Sequence, residues 1–303
     1  MQPLVSICCL TYNHAPFIRK CLEGFLMQET SFPVEILIHD DASTDGTDNI
    51  IKEYTEKYPD RIFPLFEEEN QYSKPHHKHL DLYNYERARG KYIAYCEGDD
   101  YWTDPLKLQK QVDFMETHPE YSVCFHGFRN YDVTAERFMD RTPPMRLMDG
   151  MIVDDGVDID MDRYFEDWYT QPLTMLFRVS MADFDICKRF QYYRDMHEIY
   201  YLLRAGKCRL MNFDGGVRNV HANGISSMIS RKEYCDISLP IDGEFYKKTR
   251  NEYTKKQYIS TLDEGVRVYK DTNRFKALRC AIHSFVLSGH PRALVRNLLY
   301  VLN

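Results

Sequence analysis

Residues 34–47, VEILIHDDASTDGT, join a short apolar run to a turn rich in aspartate, serine and glycine. The run Val34–Ile38 has the length of a strand that is covered on both faces, and the residues after it are typical of turns. A second segment has the same design, because residues 91–96, KYIAYC, are followed by the acidic turn EGDD at 97–100. Each segment predicts a buried strand that ends in a cluster of carboxylates.

Further apolar runs lie on both sides of these two and alternate with helical patterns. Apolar residues recur every three to four positions at 17–26 and 106–115, which predicts helices. Strands that alternate with helices predict an α/β fold with a Rossmann-like, mainly parallel central sheet flanked by helices. The remaining predicted strands are Val5–Leu10, Arg61–Phe66, Tyr121–Phe125, Thr174–Arg178, Arg209–Phe213 and Gly216–Val220.

The composition is that of a globular protein. Of 303 residues, 44% are hydrophobic and 28% are charged, which excludes disordered, collagen-like and coiled-coil chains. No uninterrupted apolar stretch reaches the roughly 18–20 residues that a membrane-spanning helix needs, and the first residues lack the pattern of a secretion signal. The nine cysteines show no paired spacing, so we expect reduced thiols and a cytoplasmic location.

Charge is distributed unevenly along the chain. The net charge is −7, and the excess of acidic residues lies before position 247. This charge argues against nucleic acid as a partner, because neutralisation of phosphates by basic side chains dominates the affinity of proteins for nucleic acid. Residues 247–303 instead contain 12 Lys and Arg against 4 Asp and Glu. This basic, helical tail contacts an anionic membrane surface, or it packs on the domain or on a second subunit of a homodimer. The residues that suggest an amphipathic helix are Phe285, Val286, Arg292, Leu294, Arg296, Leu298, Leu299 and Leu302.

Both acidic clusters follow predicted strands, at the edge where open α/β sheets bind ligands. Carboxylates that converge there repel one another unless a cation compensates their charge. Hard oxygen ligands suit Mg²⁺ or Mn²⁺, and such ions commonly bridge to phosphate oxygens. The sequence therefore predicts a divalent metal ion that holds a nucleotide diphosphate. Lys107 and Arg178 either neutralise phosphate there or are surface charges.

Three segments together are more specific than any one of them. VSICCLTYNH at 5–14, EILIHDDASTDGT at 35–47 and GKYIAYCEGDDYWTDPLKLQKQV at 90–112 resemble, in order and spacing, the inverting glycosyltransferases of family 2. The resemblance implies the GT-A fold, a nucleotide-binding α/β domain. We accordingly expect a catalytic domain over 1–235, with a donor half at 1–130 and an acceptor half at 131–235. A helical C-terminal extension is expected over 236–303.

The resemblance also implies which residues bind the nucleotide. Family members lay the base against the turn after the first strand, so Thr11, Tyr12 and Asn13 are candidates. Asp41, the second acid of its cluster, matches the carboxylate that accepts the N3–H of uracil. This assignment favours a UDP-linked donor over dTDP- or GDP-linked donors, although thymine presents the same N3–H edge.

In the acidic turn, the resemblance places Glu97 and Asp99 near the ribose or a metal-bound water. Asp100 is then the direct ligand of Mn²⁺ or Mg²⁺. The common form of this motif is LDxDD, and here a glutamate stands at position 97, where its longer side chain leaves the choice between ribose and metal open.

Inversion at the anomeric carbon needs a carboxylate that takes the proton of the acceptor hydroxyl. In the family this acid begins a helix, which here matches Asp195 in YRDMHE. Glu198 and Asp167 are the alternatives. His221 follows a late predicted strand and either contacts the diphosphate or the metal ion or is a structural histidine.

The function that the resemblance implies is transfer of a sugar from a nucleotide-sugar donor to a hydroxyl of a glycan or lipid-linked glycan in surface polysaccharide synthesis. A lipid-linked acceptor would place the protein in the cytoplasm, at the inner membrane face. Two other classes stay open: a sugar-phosphate nucleotidyltransferase, and a GT-A module that binds nucleotide or carbohydrate without catalysis. The nucleotidyltransferase is disfavoured, because no glycine-rich phosphate loop follows the first strand.

Overall fold

The computed structural model describes residues 2–74, 81–139, 155–166, 170–222, 224 and 230–302. The chain divides into two compact units. The first consists of Met1–Arg189 and Arg194–Val220, and the second of Phe190–Tyr193 and His221–Asn303.

The first unit contains the sheet. Its strands are β1 (Val5–Thr11), β2 (Val34–Asp40), β3 (Ile62–Phe66), β4 (Tyr92–Tyr95), β5 (Tyr101–Trp102), β6 (Tyr121–Asp132), β7 (Arg137–Phe138), β8 (Gly156–Asp158), β9 (Leu176–Arg178) and β10 (Lys207–Val220). Its helices are α1 (Ile18–Leu26), α2 (Thr47–Lys57), α3 (Asp81–Tyr85), α4 (Lys107–Thr117), α5 (Met161–Glu166) and α6 (Asp195–Ala205). The predicted α/β fold, a central sheet flanked by helices, is confirmed.

The strands lie in the order β3-β2-β1-β4-β9-β6-β10-β5, with β7 paired to β6 and β8 paired to β10. From β3 to β4 all pairs are parallel, with Thr11 beside Asp40 and Cys8 beside Tyr95. Strand β9 lies between β4 and β6 and is antiparallel to both. The parallel block brings the carboxyl ends of β1, β2 and β4 to one edge, as the sequence predicted for the two acidic clusters.

The two late strands that the sequence predicted form one strand, β10. It is parallel to β6 with register shifts on both sides of Asp214, and antiparallel to β5 at its far end. A Cβ atom added at Gly216 would lie 2.4 Å from Leu173 Cδ1 and 3.2 Å from the Tyr101 carbonyl oxygen, so a larger residue here would require the Leu173 side chain to shift. The gap between the two predicted strands is thus a bulge within one continuous strand.

Apolar residues of the central strands and of α1 and α4 form the core of the first unit. On α1 the buried side chains Ile18, Cys21, Leu22 and Phe25 recur at helical spacing, and Phe25 packs edge-on against Trp102 at 4.8 Å between ring centroids. The sequence pattern at 17–26 therefore identified the helical face that covers the sheet.

Two basic residues lie inside this core rather than on the surface. The Arg178 guanidinium donates to the carbonyl oxygens of Met115 and Tyr121 and to the Tyr92 hydroxyl, so its role is structural. Lys107 is fully buried, with its Nζ 3.8 Å from the centroid of the Trp102 ring. Its Nζ has no hydrogen-bond partner among the described residues, and burial lowers the pKa of Lys107 to about 7. The surface-charge interpretation of these two residues was wrong.

The second unit is helical, as predicted for the C-terminal region. Its helices are α7 (Arg231–Thr249), α8 (Glu252–Tyr269), α9 (Arg274–Ser288) and α10 (Pro291–Leu302). Polar side chains cap the first three: Ser230 accepts from Glu233 N–H, Asn251 from Tyr253 N–H, and Asn273 from Lys276 N–H. The domain boundary expected at 235 stays a prediction. Within the described ranges, none of the helices combines the length and apolar character needed to cross a bilayer.

Candidate functional site

The acidic turn lies between β4 and β5. Glu97, Asp99 and Asp100 each offer a carboxylate oxygen, and these oxygens lie within 4.8 Å of one another. Glu97 is exposed and Asp100 is buried, so the cluster extends from the surface into the protein. Among the described residues this is the one group of three acidic, histidine or cysteine side chains with the spacing of a metal site.

The electrostatics of the turn fit a divalent cation. Burial raises the pKa of Asp100 well above its ordinary value, and the neighbouring charges of Asp99 and Glu97 raise it further. A cation among these carboxylates would reverse both effects, because opposite charge favours the ionised form. Three hard oxygen donors match the preference of Mg²⁺ and Mn²⁺.

The end of β1 holds both acidic clusters at the same place. The Leu10 carbonyl accepts from Gly98 N–H at 2.9 Å, and the Thr11 carbonyl accepts from Asp41 N–H at 3.0 Å. The Thr11 side chain is buried and lies against Gly98, where an added Cβ would be 2.6 Å from Thr11 Oγ1. A side chain at position 98 would therefore separate the acidic turn from β1.

His14 is a site residue that the sequence analysis did not single out. Its Nδ1 lies 3.1 Å from Thr11 Oγ1, and its Nε2 lies 3.8 Å from Asp99 Oδ2. The imidazole thus joins the turn after β1 to the acidic turn. The sequence did offer a reason to consider His14 as a site residue, because it directly follows the candidates Thr11, Tyr12 and Asn13 in TYNH.

Asp41 is fully buried, and both of its carboxylate oxygens accept hydrogen bonds. Oδ1 accepts from Gln71 N–H at 2.6 Å and Oδ2 from Tyr72 N–H at 3.1 Å. The predicted base-binding carboxylate therefore holds the loop after β3 in this structure. A carboxylate has about four lone-pair directions, so these two hydrogen bonds do not use all of them.

The turns after β1 and β2 are fastened to each other through Asn13. The side-chain oxygen of Asn13 accepts from Thr44 N–H at 2.8 Å, and the backbone N–H of Asn13 donates to Ser43 Oγ at 2.8 Å. Asn13 has a positive φ of 56°, which asparagine tolerates better than most residues. Tyr12, by contrast, is exposed, so its ring is available to a ligand.

Asn219 is a second residue that the sequence analysis missed. Its backbone N–H donates to Asp100 Oδ1 at 2.9 Å, and its Nδ2 donates to the Asp99 carbonyl at 2.5 Å. The antiparallel pairing of Val217 with Tyr101 places Asn219 there. Continued by two positions, the same register puts residue 219 opposite Asp99. Its sequence position at the end of a late strand gave no sign of this partner.

Two of the three candidates for the catalytic base lie on α6. Asp195 is its first residue and is half-buried, and the preceding residue, Arg194, occupies the N-cap position. Glu198 is buried and accepts the Tyr85 hydroxyl at 2.9 Å. The third candidate, Asp167, lies outside the described residues.

His221 begins the second unit directly after β10 and is buried. Its carbonyl accepts from Gly224 N–H at 3.1 Å, which makes a turn at this position.

A carboxylate cluster at the carboxyl edge of parallel strands, with a second acidic turn beside it, is the arrangement that the resemblance to the GT-A fold led us to expect. The model of the family described as glycosyl transferase family 2 matches residues 6–182, more than half of the chain. The chain therefore belongs to glycosyl transferase family 2.

Curated relatives match less than half of the chain. The putative teichuronic acid biosynthesis glycosyltransferase TuaG of Bacillus subtilis (strain 168) is 37% identical over 144 residues, which cover 47% of this chain and 51% of TuaG. The UDP-Glc:alpha-D-GlcNAc-diphosphoundecaprenol beta-1,3-glucosyltransferase WfaP of Escherichia coli is 35% identical over 137 residues, 44% of this chain and 48% of WfaP. The matches span between about a third and a half of the relatives' own length.

Two solved structures share the fold over almost the whole chain. S. aureus TarS 1–349 in complex with UDP-GlcNAc has a TM-score of 0.62 at 15% identity. The match covers 95% of this chain and 82% of the TarS chain. The mannosyltransferase PcManGT from Pyrobaculum calidifontis, in complex with GDP-Man and Mn²⁺, has a TM-score of 0.56 at 17% identity. The match covers 100% of this chain and 81% of the PcManGT chain. At these identities the likeness establishes the GT-A fold.

Proposed function

We propose that this protein is a metal-dependent inverting glycosyltransferase that moves a sugar from a UDP-sugar to a hydroxyl group of a glycan. The observation that carries the proposal is the carboxylate cluster of Glu97, Asp99 and Asp100, held by the end of the same strand that positions Asp41. Membership of glycosyl transferase family 2 supports it.

Asp100 is the residue that would hold the divalent ion directly, with Glu97 and Asp99 directed to the ribose or to a water bound to the ion. The ion, Mn²⁺ or Mg²⁺, would supply positive charge to the departing diphosphate. The chain contributes a fixed geometry, because Gly98 N–H and Asn219 N–H anchor the turn on both sides. His221 is proposed as a further diphosphate or metal contact.

The donor nucleotide would lie at the turns after β1 and β2. Asp41 would accept the N3–H of uracil once the loop that is bonded to its carboxylate at Gln71 and Tyr72 moves aside, and the exposed Tyr12 would cover the base. Thr11 and Asn13 would fix the conformation of the turn that the nucleotide contacts, since both already make hydrogen bonds there. UDP as the nucleotide is supported by TarS, which was solved with UDP-GlcNAc, and by the name of WfaP.

In the transfer step, the acceptor oxygen forms a bond to the anomeric carbon as the bond from that carbon to the diphosphate oxygen breaks. Asp195 would take the proton of the acceptor hydroxyl. As the first residue of α6, it is held by a helix that packs on the sheet, and it is exposed enough to meet an acceptor. Glu198 is the weaker candidate, because it is buried against Tyr85.

We propose a lipid-linked glycan as the acceptor and the inner membrane face as the place of reaction. WfaP is named for an acceptor linked to diphosphoundecaprenol, and TuaG for teichuronic acid synthesis. A nucleotidyltransferase is the less favoured alternative, because the turn after β1 holds Asn13 and His14 in the place of a glycine-rich phosphate loop.

Thermal unfolding with a panel of nucleotide sugars, with and without Mn²⁺, tests the donor and metal assignments. A donor at ~100 times its Kd should stabilise the protein by roughly 2.7 kcal/mol. We expect this stabilisation with UDP-sugars in the presence of Mn²⁺ and its loss after chelation.

Product analysis separates the enzyme classes. A glycosyltransferase slowly hydrolyses its sugar nucleotide to the nucleoside diphosphate when metal is present. Exchange of pyrophosphate into the sugar nucleotide would instead identify a nucleotidyltransferase. Donor binding without either reaction, tested with a range of acceptors, would identify a non-catalytic module.

Asn219 is expected to act as a positioning residue for the metal site. Asn219→Ala removes the hydrogen bond to the Asp99 carbonyl and leaves the backbone bond to Asp100 in place. Partners of metal ligands typically contribute 10–100-fold to metal affinity. We therefore expect Mn²⁺ binding in the presence of UDP, measured by titration, to weaken by about tenfold or more.

Asn130→Ala is the matched control for this variant. Asn130 lies beside Arg218 on the neighbouring strand β6, and its Oδ1 has no hydrogen-bond partner in the described part of the chain. Equal loss of Mn²⁺ affinity in both variants, or unchanged affinity in Asn219→Ala, would remove Asn219 from the site. Unchanged thermal unfolding of the metal-free variants would show that both remain folded.

A further inference from the structure

Helix α9 presents two different faces. Ala277, Cys280, Ala281 and Ser284 are buried in the core of the second unit. On the other side, Phe275 is 72% exposed, Ile282 is 48% exposed and Val286 is 69% exposed. These three residues follow one another at spacings of seven and four, so they form one stripe along the helix.

Basic side chains accompany this stripe. Arg279 lies within it, four residues after Phe275, and Arg274 stands at the first helical position; both are exposed. From 274 to 303 the sequence contains five Lys and Arg and no Asp or Glu. In the next helix, α10, Val295 and Leu299 are also more than half exposed. The segment therefore combines exposed apolar side chains with positive charge alone.

The residues that suggested an amphipathic tail divide in the structure. Val286 and Leu299 are exposed, whereas Phe285, Leu294 and Leu298 are partly buried. The side chains of Arg292, Arg296 and Leu302 lie outside the described ones. The exposed stripe of α9 is thus a more specific surface than the sequence pattern defined.

We propose that this stripe, formed by Phe275, Arg279, Ile282 and Val286 with Arg274 at its start, is a docking surface for an anionic lipid bilayer. Apolar side chains on such a helix enter the boundary between headgroups and acyl chains, and the arginines attract anionic headgroups. The proposal deepens the proposed function, because it names the surface that would bring the enzyme to a lipid-linked acceptor.

A second copy of the chain fits this surface less well. In a two-fold dimer the same patch meets itself, so both copies of Arg274 and Arg279 would enter one interface with no acidic residue of the segment to compensate their charge. An anionic bilayer instead offers negative charge and an apolar layer together. Charge complementarity therefore favours the lipid surface.

Flotation of the full chain with vesicles tests the proposal. We expect binding to vesicles of phosphatidylcholine and phosphatidylglycerol that weakens with salt, and little binding to phosphatidylcholine alone. Two variants should each reduce the partition coefficient by at least about tenfold: Phe275→Ser/Ile282→Ser/Val286→Ser and Arg274→Glu/Arg279→Glu.

Lys247→Glu/Lys256→Glu is the matched control, because it changes the net charge equally at exposed positions on α7 and α8. Equal loss of binding in this control would attribute binding to the overall charge and overturn the proposal. Absence of vesicle binding by the unaltered chain would also overturn it. So would a dimer of the unaltered chain that the serine variant converts to monomer, measured by sedimentation, because the stripe would then be a subunit interface.

Failure of the docking surface and failure of the proposed enzyme are distinguishable. Hydrolysis of the sugar nucleotide is measured without vesicles and should be the same in all these variants, since none alters the first unit. Unchanged hydrolysis with lost flotation supports the docking surface.

Discussion

Asp195→Asn is expected to slow sugar transfer by about 10²–10⁴-fold while donor affinity changes little, because the side chain would lose the ability to accept the acceptor proton. Asparagine keeps the size of the side chain and the position at the start of α6. Steady-state kinetics should place the loss in kcat rather than in KM for the donor. The low-pH limb of the kcat profile, where a carboxylate base becomes protonated, should disappear as well.

Glu198→Gln is the control for this prediction. Glutamine retains an oxygen that accepts the Tyr85 hydroxyl, so the helix should keep its packing. A larger loss of kcat in Glu198→Gln than in Asp195→Asn would transfer the role of base to Glu198. If both variants retain activity, Asp167→Asn is the remaining test, and a loss there would show that the base lies outside α6.

Lys107→Met is expected to stabilise the protein by about 1–4 kcal/mol near pH 7.5, because an apolar side chain of similar length replaces a buried amine without a hydrogen-bond partner. The folded state holds the pKa of Lys107 at about 7, below the ordinary 10.5. Between these values the unfolded chain binds more protons than the folded one, so stability rises with pH. The unaltered protein should gain about 1 kcal/mol between pH 7.5 and 8.5 from this group, and the variant should lack that gain.

Lys110→Met, three residues further along α4, is the matched control. Lys110 is partly exposed and pairs with Asp104 at 2.5 Å, so its replacement should leave the pH dependence unchanged. Burial raises the pKa of the Cys96 and Cys124 thiols to about 11 and about 12, so in this window they begin to ionise only in the unfolded chain. Both proteins contain these thiols, so their contribution cancels when the pH slopes of the variant and the unaltered protein are subtracted. Equal pH slopes in Lys107→Met and in the unaltered protein, measured by chemical denaturation, would contradict the prediction.

Sequence reasoning could predict the part of the fold that local patterns encode. The apolar runs of β1, β2 and β4 are buried strands, and the polar residues after them are turns, so the common edge of the two acidic clusters followed from parallel pairing alone. The face of α1 that covers the sheet also followed from spacing. In each case the signal lies within about ten residues of chain.

Features that depend on register could not be predicted in this way. Strand β9 enters the sheet antiparallel between β4 and β6, and no local pattern specifies a neighbour. Asn219 meets Asp100 across 119 positions of sequence, through the pairing of β10 with β5. Lys107 resembles an ordinary helix-surface lysine, because its burial depends on how Trp102 packs.

The anchoring of the acidic turn that would serve metal binding also lowers the stability of the folded chain when no cation is bound. The backbone of the turn is fastened to β1 at Gly98, and Asp100 is fastened to β10, which holds the carboxylates of the turn close to one another in the folded chain. Their mutual repulsion therefore weighs on the folded chain alone, and an ion that binds there would relieve it. Small changes in folding free energy alter how much protein survives cellular proteolysis. If the proposed ion binds there, both the amount of folded protein in a cell and its activity would follow the supply of divalent metal.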